Sequence, residues 1–102
     1  MKKGYSEIIW SPLAESQYIK IKDYLLRKFT QKEVNKLNNL LDQFHEIILK
    51  FPELYPQTEF RNNLFRAVLS RQVSVFYRIE KKTVQIVAIY DNRQNFESKL
   101  KE

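Results

Sequence analysis

Residues 63–95, NLFRAVLSRQVSVFYRIEKKTVQIVAIYDNRQN, decide the fold. Three apolar segments follow one another there with only short polar links. Phe65, Ala67 and Leu69 alternate with Arg66 and Val68; Val73, Val75, Tyr77 and Ile79 alternate with Ser74, Phe76 and Arg78; Val84, Ile86, Ala88 and Tyr90 alternate with Gln85, Val87 and Ile89. A period of two in β-branched and aromatic residues is the pattern of strands with one face buried. The links at Arg71-Gln72 and from Glu80 to Thr83 are too short for a crossover and predict antiparallel hairpins. The last segment is apolar on both faces, which places it centrally in the sheet. Tyr77 and Tyr90 share the core parity of their strands, so packing is the expected role of both.

On the N-terminal side, residues 51–63 (FPELYPQTEFRNN) carry two prolines and read as a connector. Before it lie two helices. Ser11-Pro12 supplies an N-cap followed by the residue best tolerated in a first turn, and Ala14, Tyr18, Ile21 and Leu25 form an inward stripe flanked by Leu26 and Phe29. Thr30-Gln31-Lys32-Glu33 reads as a capping box, with Phe29 and Val34 as its hydrophobic staple. The second stripe is Val34, Leu37, Leu41, Phe44, Ile48 and Phe51, broadened by Leu40 and Ile47, and Pro52 stops it. Tyr5 to Trp10 (YSEIIW) is a short strand candidate. The expected fold is therefore α+β in the order β-α-α-β-β-β: an N-terminal strand and a helical hairpin packed on a three- to four-stranded antiparallel sheet. Residues 1–102 are expected to form a single domain, because two cores would leave each half too small to bury enough surface.

The net charge of +6 is unevenly spread. Residues 11–56 hold seven Lys or Arg against six Asp or Glu, whereas residues 57–95 hold seven against three. Five of those later seven are arginines, suited to bidentate grip on phosphate or carboxylate, so a polyanion or an acidic protein is the expected partner. The chain has no cysteine, which excludes disulfides and thiolate catalysis. MKKGYSEIIW starts basic but contains no apolar run of signal-peptide length, and no window approaches a membrane span. A cytoplasmic location and no membrane partner are expected.

Most catalytic schemes are excluded by composition. Gly4 is the only glycine, so neither a phosphate-cradling loop nor a dinucleotide fingerprint can form. His45 is the only histidine and reads as a boundary residue; no metal site and no cofactor are expected. Glu15 with Asp23, and Asp42 with Glu46, fall on outer helix faces beside lysines, where ion pairing is the plain expectation. What remains is arginine on a sheet. Arg66 and Arg78 alternate away from the core, Arg71 sits in a turn, Arg61 in the connector, and Asn92, Arg93 and Gln94 lie in the polar DNRQN run after the last strand. These seven residues are the expected binding surface.

The opening IIWSPLAE with its helical hairpin, then LFRAVLSRQVSVFYRIE and VQIVAIYDNRQN, resembles the RelE/ParE superfamily of type II toxin-antitoxin toxins over about ninety residues. The resemblance implies an antiparallel sheet carrying an N-terminal helical hairpin, and a cognate antitoxin that holds the toxin inactive. RelE-like members are ribosome-dependent mRNA endonucleases, and Arg66 and Arg93 match their first and last basic positions, the only candidates for catalytic roles. Val68 and Ser74 stand where that pattern has a lysine and an arginine, and the tail FESKLKE has no tyrosine. ParE-like members lack that constellation and poison DNA gyrase; the WSPLAE start is similar to theirs. The resemblance thus favours a ParE-like gyrase inhibitor, with the mRNA endonuclease or a non-toxic antitoxin-binding module as alternatives, and leaves open whether the chain is an enzyme.

Overall fold

Ser11 turns the chain from strand into helix and anchors both. In the computed structural model, which describes residues 7–94, its Oγ accepts from the Ala14 amide at 3.0 Å, as an N-cap should, while the same hydroxyl donates to the Val87 carbonyl at 3.0 Å. The elements are β1 (Glu7–Trp10), α1 (Pro12–Lys28), α2 (Gln31–Lys50), β2 (Phe65–Val68), β3 (Val73–Glu80) and β4 (Thr83–Asp91). They form one sheet in the order β1-β4-β3-β2 with the helical hairpin on one face, the α+β architecture expected.

The β2–β3 and β3–β4 pairs are antiparallel, as their short links require, but β1 joins β4 in parallel. The sheet is therefore mixed. Only strands joined by a tight turn are forced to run antiparallel, and the helical hairpin and two further strands separate β1 from β4.

The core lies between hairpin and sheet. Ala14, Ile21 and Leu25 from α1 and Val34, Leu37, Leu41, Phe44 and Ile48 from α2 meet Phe65, Ala67, Val73, Val75, Tyr77, Val84, Ile86 and Ile89. Tyr77 is fully buried, stacked on Phe65 at 5.1 Å and edge-on to Phe44 at 5.6 Å. Its hydroxyl donates to the Pro52 carbonyl at 2.6 Å, which satisfies the one polar atom of that ring. Phe51, placed in the α2 stripe by periodicity, instead caps the helix: its amide bonds the Ile47 carbonyl while its ring points outward, 62% exposed. The chain leaves the helix there, so the 3.6-residue phase no longer governs the side chain.

β4 departs from strict alternation. Phe76 pairs with Ala88 but Tyr77 pairs with Ile86, so Val87 is an extra residue, a β-bulge. Bulges free backbone groups, and here side chains of α1 and its N-cap take them up: Ser11 donates to the Val87 carbonyl, and Gln17 Oε1 accepts from the Ile89 amide at 2.9 Å. Beyond the bulge the faces exchange. Ile89 and Asp91 turn towards the helices, 1% exposed each, and Tyr90 turns away, 38% exposed, which corrects the expectation that Tyr90 packs in the core. Residues 1–6 and 95–102 are not described; Tyr5 and Ser6 of the expected first strand, Asn95 and the FESKLKE tail fall among them.

Candidate functional site

The bulge delivers Asp91 beneath the start of α2, where it grips Arg93. One carboxylate oxygen accepts from the Arg93 amide at 2.9 Å and from its Nε at 3.0 Å; the other accepts from Nη2 at 2.8 Å. Arg93 Nη1 donates to Glu33 Oε1 at 3.3 Å, and the guanidinium lies 5.2 Å from the centre of the Phe29 ring. The hydrogen bond to Asp91 raises the Arg93 pKa, and the hydrogen bond from Arg93 holds the Glu33 carboxyl below its usual range. Lys36 adds a further contact to Glu33 at 3.6 Å.

This cluster corrects one local expectation. Thr30 does cap α2, its Oγ1 accepting from the Lys32 amide at 3.3 Å, but the box is not reciprocal, because Glu33 is spent on Arg93 and Lys36. A charge-assisted bond to a guanidinium outcompetes one to a neutral amide. Phe29, 44% exposed, places its ring against Arg93.

Asp91 and Glu33 together balance the charge of Arg93 and Lys36, and every nitrogen of the guanidinium has an acceptor. A polar cavity of about 340 Å³ beside it is lined by Glu33, Lys36, Leu40, Ser70, Gln72 and Arg93. Chemically the cluster is a closed ion network and not an anion trap.

The opposite sheet face carries no described helix. Arg66 pairs with Phe76, which pairs with Ala88, and Ser74 pairs with Tyr90, so Arg66, Phe76 and Tyr90 share this face. The Phe76 and Tyr90 rings meet edge-to-face at 5.8 Å, and Val68 beside them is 55% exposed. Arg78, also on this face, reaches Glu80 at 3.7 Å, and its buried Nε has no hydrogen-bond partner among the described residues.

The seven expected residues are thus divided. Arg66 and Arg78 lie on the open face, whereas Arg93 lies on the helix face, so the two catalytic candidates Arg66 and Arg93 do not share a face. Asn92 is a buckle: its side chain donates to the Arg71 carbonyl at 3.0 Å and its amide to the Gln72 carbonyl at 2.8 Å, pinning the end of β4 to the β2–β3 turn. Gln94 is half-buried, and Arg61 is exposed in the connector, its carbonyl accepting from Thr58. Sequence reasoning missed Tyr90 and Glu33. Nothing local marks the bulge, since β4 is apolar at both parities, and Glu33 looked committed to its own helix end. No metal-binding group of three or more His, Cys, Asp or Glu occurs among the described residues.

A helical hairpin laid on one face of an open four-stranded sheet, with a basic second half, defines the chain as a small α+β domain. The model of the ParE toxin of type II toxin-antitoxin systems (parDE) matches residues 8–96, and the chain belongs to that family. A solved structure described as a chromosomal ParDE toxin-antitoxin system from P. aeruginosa superimposes with a TM-score of 0.70 at 17% identity, covering 88% of this chain and 98% of that one. The DinJ–YafQ complex of E. coli superimposes with a TM-score of 0.55 at 18% identity over 87% and 96% of the two chains. YafQ from E. coli strain BL21(DE3) gives 0.54 at 17% identity over the same shares. No curated protein matches the sequence.

Proposed function

We propose that this chain is a growth-inhibiting toxin that poisons DNA gyrase in the cytoplasm and is neutralised there by a cognate antitoxin. The observation that carries the choice of target is the state of Arg93. Stabilising the extra charge of a phosphorane requires a cation free to turn to it, and Arg93 is held by Asp91, Glu33 and the Phe29 ring. With Val68 and Ser74 at two further basic positions of the nuclease pattern, Arg66 alone of that pattern's cations is left to an RNA-cleaving centre. Purified protein is expected to inhibit gyrase supercoiling and trap cleavage complexes; undisturbed supercoiling at large toxin excess would exclude gyrase.

One observation favours the mRNA endonuclease as second reading. The bulge brings the Tyr90 hydroxyl to the face that carries Arg66, so a proton-exchanging group and a cation share an open surface. Ribosome-dependent mRNA cutting that disappears in both Tyr90→Phe and Arg66→Ala would establish this alternative. Absence of growth arrest on overexpression would instead leave a non-toxic antitoxin-binding module. In every case the open-face cations suit an acidic antitoxin segment: charge reversal at Arg66 and Arg78 is expected to weaken the complex, more at low salt than at high.

A further inference from the structure

Far from Arg93 along α2, the hairpin and the end of β1 enclose an open cavity of about 390 Å³ lined by Trp10, Glu15, Tyr18, Asn38, Asp42 and His45, among others. Its walls are aromatic. Trp10 stands edge-to-face with Tyr18 at 6.1 Å and with His45 at 5.9 Å. The polar tips of these rings are already satisfied: Trp10 Nε1 donates to His45 Nε2 at 3.2 Å, and the Tyr18 hydroxyl donates to Asn38 Oδ1 at 2.6 Å. The ring faces, not their polar atoms, are what this wall has to offer a ligand.

The carboxylates decide what that ligand is. Sequence spacing had paired Glu15, Asp23, Asp42 and Glu46 with neighbouring lysines, yet none of the four has an ion-pair partner among the described residues. Exposed pairs at helical spacing are worth little, so their absence costs the fold little. Glu15 and Asp42 instead line the cavity, whose lining contains no lysine or arginine, in a protein of net charge +6. A negative rim over π faces attracts cations and repels anions. Lys22, outside the lining, illustrates the attraction: its Nζ lies 6.0 Å from the centre of the Tyr18 ring.

We propose that this cavity is a binding site for a cationic side chain, lysine or arginine, presented by a protein partner. The alkyl stem lies along Trp10 and Ile19, and the charged head remains at the rim with Glu15 and Asp42, the division that such amphipathic side chains favour. The site is polarised opposite to the rest of the molecule. A partner whose acidic groups meet Arg66 and Arg78 would be oriented by one basic residue entered here. Nothing in this assignment depends on whether gyrase or mRNA is the target.

Trp10 is the only tryptophan, so its emission reports on the cavity directly. The full chain is titrated with n-butylguanidinium, and in parallel with n-butylurea, its neutral isostere. A saturable change is expected with the guanidinium, with a dissociation constant on the order of 1 mM, the range within reach of a fragment of this size. Binding should weaken at least about fivefold in the Glu15→Gln/Asp42→Asn double variant and also weaken with added salt. Both substituted residues are exposed, and an unchanged melting curve verifies that the variant is folded. Equal saturation by n-butylurea, equal affinity in the double variant, or a linear, unsaturable response would each overturn the assignment.

Discussion

The two faces of the sheet are built from the same strands but treat charge in opposite ways. On the helix face, Asp91 is buried and saturated by Arg93, which is tied in turn to Glu33. On the open face, Arg66 and Tyr90 stand exposed beside Phe76, and Arg78 keeps a buried Nε without a hydrogen-bond partner among the described residues. A single residue separates these outcomes. Val87, extra in β4, sends Asp91 one way and Tyr90 the other, and Ser11 and Gln17 hold the bulge by bonding its freed backbone groups. An arginine that follows a strand is therefore not automatically available to a ligand; its freedom depends on which face receives the acid beside it.

The most direct way to break this contrast is Asp91→Ala: removing one partner of a buried pair costs about 3 kcal/mol by chemical denaturation, towards the lower end of the usual range because Arg93 can partly rehydrate. Ser11→Ala removes a helix cap and a bulge partner together and is expected to cost about 2 kcal/mol.

A pH series sharpens the comparison at β1. Burial pushes the His45 pKa below its ordinary value of 6.5, against the opposing charge of Asp42. The folded state then binds fewer protons than the unfolded chain just below that value, so stability falls as pH is lowered through it. Denaturant midpoints measured from neutral to mildly acidic pH should show this slope in the parent and lose it in His45→Gln. The smallest effect is expected on the open face: Arg66→Ala and Tyr90→Phe should leave stability within about 0.5 kcal/mol of the parent, whatever they do to activity. A larger loss in either would mean that this face is structural.

Much of this architecture is legible in the residues. Alternation in the last three strands, the Ser11-Pro12 and Thr30 helix starts, and the stop at Pro52 are local signals, and the elements form where those signals lie. Arg66 and Arg78 were likewise placed on the outward parity of their strands, because each precedes the bulge or lies on another strand. The candidate site was less legible. Tyr90 and Asp91 lie after an irregularity that an apolar β4 conceals, and the capping-box motif disguised Glu33 as a local residue when its partner is sixty positions away.

The sequence by itself determined which segments become helices and strands and the excess of cations, since each follows from local periodicity, capping or composition, and its motifs carried the resemblance to the RelE/ParE superfamily. Only the tertiary structure decided which charges are free. It closed Arg93 between Asp91 and Glu33, left Arg66 open, and set two carboxylates with no ion-pair partner among the described residues around Trp10. The physical reason is that a charge takes its character from the groups packed against it. Here those groups come from segments far apart in the chain, brought together by one bulge and one helical hairpin.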